Sequence, residues 1–171
     1  MLQTDIKRRN IIIRMITFML TIAVCITIFK FSSENSGKST GTSDFVIECI
    51  INSNPFTKDL DSAEKENIKE NIKMPVRKLA HFSIYTVLGI TTMCHMSTYS
   101  IVRYKRIGCS LIIGMLYAIS DEIHQLFVPG RSGQMTDVLI DTMGVLFGIC
   151  IVLLGQNIIP VSYTHLRATR L

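Results

Sequence analysis

Ionisable residues occur within otherwise apolar stretches of this chain, where they are candidates for acid–base chemistry or for binding a charged ligand. One stretch carries Asp121 and Glu122 side by side, with His124 close behind them. Neighbouring carboxylates repel one another, which favours a proton on one of them, and a nearby imidazole can accept or donate a proton. These residues, with His81 from another stretch, form the candidate catalytic set.

Two further segments carry polar residues at helical spacing. Lys78, His81 and Tyr85 follow the i, i+3, i+7 pattern that places side chains on one face of a helix. Asp137 and Asp141 begin a stripe of four residues that Gly144 and Gly148 complete. A G-x-x-x-G pattern predicts close helix packing, so the two carboxylates should face the protein interior. The candidate ligand-binding residues are Lys78, Tyr85, Gln125, Arg131, Asp137 and Asp141.

The composition indicates what must position these residues. The chain has 171 residues, of which 48% are hydrophobic and only 18% are charged, and its mean hydropathy is +0.36. A small soluble protein needs a more polar surface than this composition provides. The net charge of +5 does not indicate nucleic-acid binding, because the basic residues flank apolar segments and form no single stripe.

We predict an all-α fold, a bundle of four transmembrane helices with a long polar external loop between the first two. Each apolar segment approaches the length of about 20 residues that crosses a bilayer. The predicted spans are residues 11–31, 79–96, 107–128 and 138–154. Residues 1–156 would form the membrane domain, and the tail at 157–171 is assigned no structure.

Loop charges predict the orientation. The loop between spans two and three carries Arg103, Lys105 and Arg106, whereas the loop between spans three and four carries Arg131. The positive-inside rule therefore places both termini in the cytoplasm and the candidate residues at the outer ends of their helices. Residues 32–76 then form an external segment. Two structures are possible for it, a helical hairpin that lies over the outer end of the bundle and a solvated loop.

Two motifs resemble the VanZ-like family. They are RKLAHFSIY at residues 77–85 and SDEIHQLFVPGRSGQMTDVLIDTMG at residues 120–144, and the FSSE sequence after span one is similar too. The resemblance implies a multi-pass protein of the bacterial cytoplasmic membrane that acts in the cell envelope, with a link to teicoplanin-type glycopeptide resistance. The family commonly has Asn where this chain has Asp141, so the charge at that position is a departure from its pattern.

Four functional hypotheses remain open at this stage, and a pore or transporter has the least support because the four spans show no inverted repeat. The first is a polar pocket that binds or modifies an amphiphilic envelope molecule, such as a lipid, with Arg131 and Lys78 holding an anionic head group. The second is a site for zinc or manganese with His and Asp/Glu ligands, in which His81 could join His124, although no metal-binding sequence spacing supports it. The third is a structural role, in which the charges pair and fix the order of the helices. No cofactor is predicted.

Overall fold

The structure is a computed structural model that describes residues 2–33, 60–129 and 133–158, and also residues 45, 47–49, 51–55, 57 and 131. Within these ranges the regular secondary structure is entirely helical, which confirms the all-α prediction. The C-terminal tail from residue 159 lies outside the described residues. So do Glu34 of the FSSE sequence and two residues of the predicted outer loop, Gly130 and Ser132.

Four long helices are present among the described residues. Helices α1, α3 and α4 are long and apolar enough to cross a membrane, and two of them contain the whole of a predicted span. Helix α2 contains the predicted span at 79–96 but does not reach the same apolarity. The helices are α1 at Leu2–Ser33, α2 at Ser62–Ser97, α3 at Arg103–Gln125 and α4 at Met135–Ile158.

Helix α2 is longer than the sequence prediction. Residues 62–76, which we placed in the external loop, form its first turns and continue into the predicted span. The helix begins with a capping box, because the Asp61 side chain accepts from the first turn and Glu64 accepts from the Asp61 backbone. Pro75 lies inside the helix, where it removes one backbone hydrogen bond without ending the helix.

Close packing between α2 and α4 determines the bundle geometry. Helix α2 contacts each of the other three helices, and its most extensive contact is with α4. A methyl group at Gly148 would overlap the Thr86 carbonyl oxygen, and one at Gly144 would lie 2.5 Å from the Phe82 carbonyl oxygen. A methyl group at Gly89 would overlap the backbone of Val145. The predicted glycine face is therefore confirmed, and its partner is α2.

The apolar residues divide between a narrow core and an extensive outer surface. The core is formed by Ile28, Tyr85, Leu88, Met93, Ala118, Val145 and Ile149. Large apolar side chains remain exposed on the outward faces of α1, α3 and α4. An exposed apolar surface of this extent is typical of a protein that contacts lipid. It agrees with the three helices that are suited to crossing a membrane.

Candidate functional site

Three helices bring His81, Asp121 and Asp141 together at one end of the bundle. Each residue offers one potential ligand atom, and the three atoms lie within 4.8 Å of one another. We call these residues the His–Asp cluster. We call the end of the bundle that contains them, where α3 ends and α4 begins, the site end. The sequence prediction that distant segments contribute polar residues to one location agrees with this arrangement.

The two aspartates of the His–Asp cluster are buried, and Asp141 lacks hydrogen bonds. Asp141 is 0% exposed, and neither of its carboxylate oxygens has a hydrogen-bond partner. His81 Nδ1 lies 3.7 Å from Asp141 Oδ1, which is too far for a strong hydrogen bond. The hydroxyl of Tyr85, one turn beyond His81, is also buried without a partner. Buried polar atoms normally have partners, so this concentration indicates a site adapted to something besides the protein itself.

Gln125 connects the His–Asp cluster to two arginines. Its side chain is 1% exposed, and Nε2 donates to Asp121 Oδ2 at 3.3 Å. Its Oε1 accepts from Arg77 Nη2 of α2 and from Arg131 Nη1, each at 3.4 Å. Arg131 also donates to the Phe31 carbonyl oxygen at the end of α1, at 2.8 Å. Two guanidinium groups from separate elements therefore converge on one neutral amide oxygen, and we call Arg77 and Arg131 the arginine pair.

A small cavity of about 30 Å³ opens between α2 and α4 beside the His–Asp cluster. Its volume suits one or two water molecules, or part of a ligand. Across the cavity Lys78 Nζ and Asp137 Oδ1 form an ion pair at 2.9 Å. The lining consists of Met74, Arg77, Lys78, His81, Gln134, Asp137, Ile140 and Asp141. Basic, acidic and apolar groups therefore share one opening.

Glu122 is directed toward the connection between α3 and α4. Its Oε2 accepts a hydrogen bond from the Gln134 backbone N–H at 2.9 Å, just before α4 begins. Its other oxygen, Oε1, is buried and has no hydrogen-bond partner. A carboxylate in that position holds the connecting segment and lies near the N-terminus of α4, where negative charge is favourable. Glu122 is therefore at the site end but outside the His–Asp cluster.

His124 lies on another face of α3, against α1. Its Nε2 is 3.1 Å from Ser33 Oγ, and its ring centroid is 4.7 Å from that of Phe29. Among the described residues His124 is not part of the His–Asp cluster, so the structure pairs His81 with Asp141 instead of with His124. The position of His124 suits a contact between helices.

The opposite end of the bundle contains a second group of polar residues, which the sequence patterns did not predict. The Arg14 guanidinium lies 4.1 Å from the Tyr99 ring centroid and donates to the Thr98 carbonyl oxygen at 3.1 Å. His95 Nδ1 is 3.1 Å from Thr17 Oγ1, which links α2 to α1. In the sequence, the indication of this group was Arg14 near the start of the first predicted span and His95 near the end of the second. The contacts satisfy these groups, so they favour an anchoring role.

The fold and the site define an all-helical membrane protein that brings basic, acidic and imidazole groups together at one end. The VanZ/LLP1 family model matches residues 17–156. The match covers most of the chain, including every residue of the His–Asp cluster and the arginine pair, and the chain belongs to this family. No curated protein and no solved structure gives a significant match.

Proposed function

We propose that this protein spans the bacterial cytoplasmic membrane four times and binds the anionic head group of an amphiphilic envelope molecule at its site end. The observation that carries the proposal is the convergence of Arg77 and Arg131 on Gln125 Oε1, at 3.4 Å each. An anion at this position would accept hydrogen bonds from both guanidinium groups. Arginine also binds phosphate and carboxylate through two parallel hydrogen bonds.

The second half of α2 would span the membrane in addition to α1, α3 and α4. Residues 79–96 would extend about 27 Å along a helix, close to the hydrocarbon thickness of about 30 Å. The lower apolarity of this segment is consistent with its central location, because α2 contacts three helices and has less surface to present to lipid. Its buried residues include Thr86, Thr92 and His95, which are polar.

The site end would face the outside of the cell. Arg103, Lys105 and Arg106 lie at the opposite end, at the start of α3, and the second turn of α1 carries Lys7 and Arg8. Basic residues of short loops and termini are retained in the cytoplasm. On this basis both termini are cytoplasmic, and the first part of α2, residues 62–76, projects on the outer side.

An amphiphile suits the surroundings of the cavity better than a soluble anion does. Met74 and Ile140 contribute apolar surface to the cavity beside Arg77. Leu79 and Leu139, which adjoin the cavity residues in sequence, are each 64% exposed. A head group held by Arg77 would therefore leave its alkyl chain beside apolar helix surface. Binding is the proposed activity, and any proton transfer to the ligand would fall to His81 or Asp121.

The alternative is a structural or partner-binding protein whose polar groups hold the bundle together. The Lys78–Asp137 ion pair at 2.9 Å favours it, because it joins α2 to α4. Such pairs contribute only about 0.6–2 kcal/mol within membranes. The unpaired oxygens of Asp141 and Glu122 weigh against this alternative, since a cluster that serves only to join helices should satisfy its own members.

Titration with dodecyl phosphate and with uncharged dodecanol tests the binding proposal. The purified protein should bind the phosphate more tightly, and Arg77→Ala and Arg131→Ala should each weaken binding about tenfold, as expected for loss of a charged hydrogen bond. Arg103→Ala is the matched control, because Arg103 contacts Asn157 at the opposite end. Equal binding of the two compounds, or an equal effect of all three variants, would reject the proposal.

Glycopeptide resistance is a separate expectation. If the site handles an envelope component that determines sensitivity to a teicoplanin-type antibiotic, expression in a sensitive bacterium should raise the inhibitory concentration. The Arg77→Ala variant should not raise it, provided that it accumulates in the membrane to the wild-type level. Equal protection by the wild type and by Arg77→Ala would show that resistance does not depend on the arginine pair.

A further inference from the structure

The His–Asp cluster has the composition and arrangement of a metal site. One imidazole nitrogen and two carboxylates come from three different helices, and their candidate ligand atoms lie within 4.8 Å of one another. The close glycine contacts between α2 and α4 hold the helices that carry His81 and Asp141 at a short separation. The scaffold is therefore rigid at this position, as a ligand set requires.

The buried groups of the cluster have unused coordinating capacity. Both oxygens of Asp141 and the Nδ1 atom of His81 have no hydrogen-bond partner, and the Asp141 side chain is completely buried. The Tyr85 hydroxyl is also buried, and it lies beside the Asp121 carboxylate. Buried carboxylates without compensation are costly, whereas a bound cation both neutralises and ligates them.

The basic side chains beside the cluster are directed elsewhere. Lys78 is paired with Asp137 at 2.9 Å, and Arg77 donates to the Gln125 amide oxygen. His81 lies 3.7 Å from Asp141, and Asp121 forms no ion pair with a described residue. A divalent cation would balance both carboxylates at once.

We propose that His81, Asp121 and Asp141 bind one divalent metal ion, with zinc the best match to the ligand types. Zinc accepts mixed nitrogen and oxygen ligands, whereas magnesium and calcium prefer oxygen alone. With bonds of about 2.0–2.2 Å, ligand atoms around tetrahedral zinc lie roughly 3.3–3.6 Å apart. The His81–Asp141 separation of 3.7 Å is close to this range, and small side-chain rotations would bring in Asp121.

The surroundings supply the remaining parts of such a site. Gln125 donates to Asp121 Oδ2 at 3.3 Å and would orient that carboxylate, as outer-shell partners of metal ligands do. Three protein ligands leave a fourth position open to water or to another molecule. The cavity lined by His81 and Asp141 provides the opening. The inference does not depend on the proposed function, because metal binding is measured without any amphiphile.

Metal analysis of the full-length protein in detergent provides the test. After stripping with chelator, incubation with zinc and desalting, the wild type should retain about one zinc per chain. Asp121→Asn and Asp141→Asn should each lower retention at least tenfold. Glu70→Gln is the matched control, since Glu70 is an exposed carboxylate of α2 outside the cluster and the cavity, and it should retain zinc. Equal loss in all three variants would indicate nonspecific acidic binding and overturn the assignment.

A second test uses only the wild-type protein, so its result does not depend on whether the variants fold. Addition of Co²⁺ to the stripped wild type should produce the intense visible absorption of a four-coordinate site, and zinc should abolish that absorption. Zinc should also raise the thermal midpoint, because it binds the folded form. Absence of both signals in folded wild-type protein would overturn the proposal whatever the variants do, and would assign His81 to an ion pair with Asp141.

Discussion

Gln125 donates a hydrogen bond from its Nε2 atom to Asp121, while its Oε1 atom faces the arginine pair. One buried amide therefore separates the acidic and basic halves of the site. The amide oxygen can only accept and the amide nitrogen can only donate, so the oxygen faces the basic side chains and the nitrogen faces the acidic ones. The orientation of this side chain links the proposed anion site to the proposed metal site.

Replacement of Gln125 by Glu should weaken binding of dodecyl phosphate by about tenfold or more. The new carboxylate would pair with Arg77 and Arg131 and compete with the ligand, and hydrogen bonds to charged groups contribute about 1.5–3 kcal/mol. Titration of the purified variant measures the change. Gln156→Glu is the control, since Gln156 donates to Ser97 at the opposite end. Unchanged affinity in Gln125→Glu would show that the ligand does not bind at the arginine pair.

Gly148→Ala should destabilise the bundle by about 1–3 kcal/mol, the usual cost of overpacking. The added methyl group would overlap the backbone carbonyl of Thr86, which cannot move without shifting α2. Gly155→Ala, in the same helix, adds a methyl group with nothing within 4 Å. It should be neutral or stabilising by up to about 1 kcal/mol. Thermal unfolding in detergent compares the two, and equal midpoints would refute close α2–α4 packing.

A double-mutant cycle on Lys78 and Asp137 should give a coupling energy of about 0.5–1 kcal/mol. The pair spans α2 and α4 at 2.9 Å, and its side chains are partly exposed, which limits its strength. Unfolding of the wild type, the two alanine variants and the double variant provides the four free energies. A coupling of several kcal/mol would instead support the structural alternative.

Cysteine labelling tests the proposed topology. In a variant whose five native cysteines are replaced, Phe127→Cys should react with a membrane-impermeant maleimide added to intact cells, because Phe127 is 79% exposed beyond α3. Tyr104→Cys, at the other end of α3, should react only after the membrane is permeabilised. Labelling of both positions from outside would show that α3 does not cross, and the reverse pattern would invert the orientation.

The sequence predicted the end of each helix at which the polar residues lie, but it did not predict which of these residues contact one another. Apolar stretches fix where each residue lies along its helix, so a common end for His81, Asp121 and Asp141 followed from the predicted spans. The rotation of each helix and the order of helices around the bundle depend on tertiary packing, which no single segment encodes. His124 illustrates the limit, because it lies three residues from Asp121 yet contacts Ser33 of α1.

The start of α2 was predictable in part. Asp61 and Glu64 have the spacing of a capping box, which marks a helix N-terminus. Pro75 in turn favours a helix boundary in the sequence, but the helix continues through it. The glycine face of α4 was predicted and is confirmed, whereas its partner α2 could be identified only from the packing.

Lipid analysis of protein purified from its own membrane tests the central claim most directly. Mass spectrometry should find an anionic amphiphile that copurifies with the wild type and with Arg103→Ala, but is reduced at least tenfold in Arg77→Ala. That result would locate an anionic ligand at the arginine pair. Equal recovery of the same lipid from all three folded proteins would contradict a head-group site there.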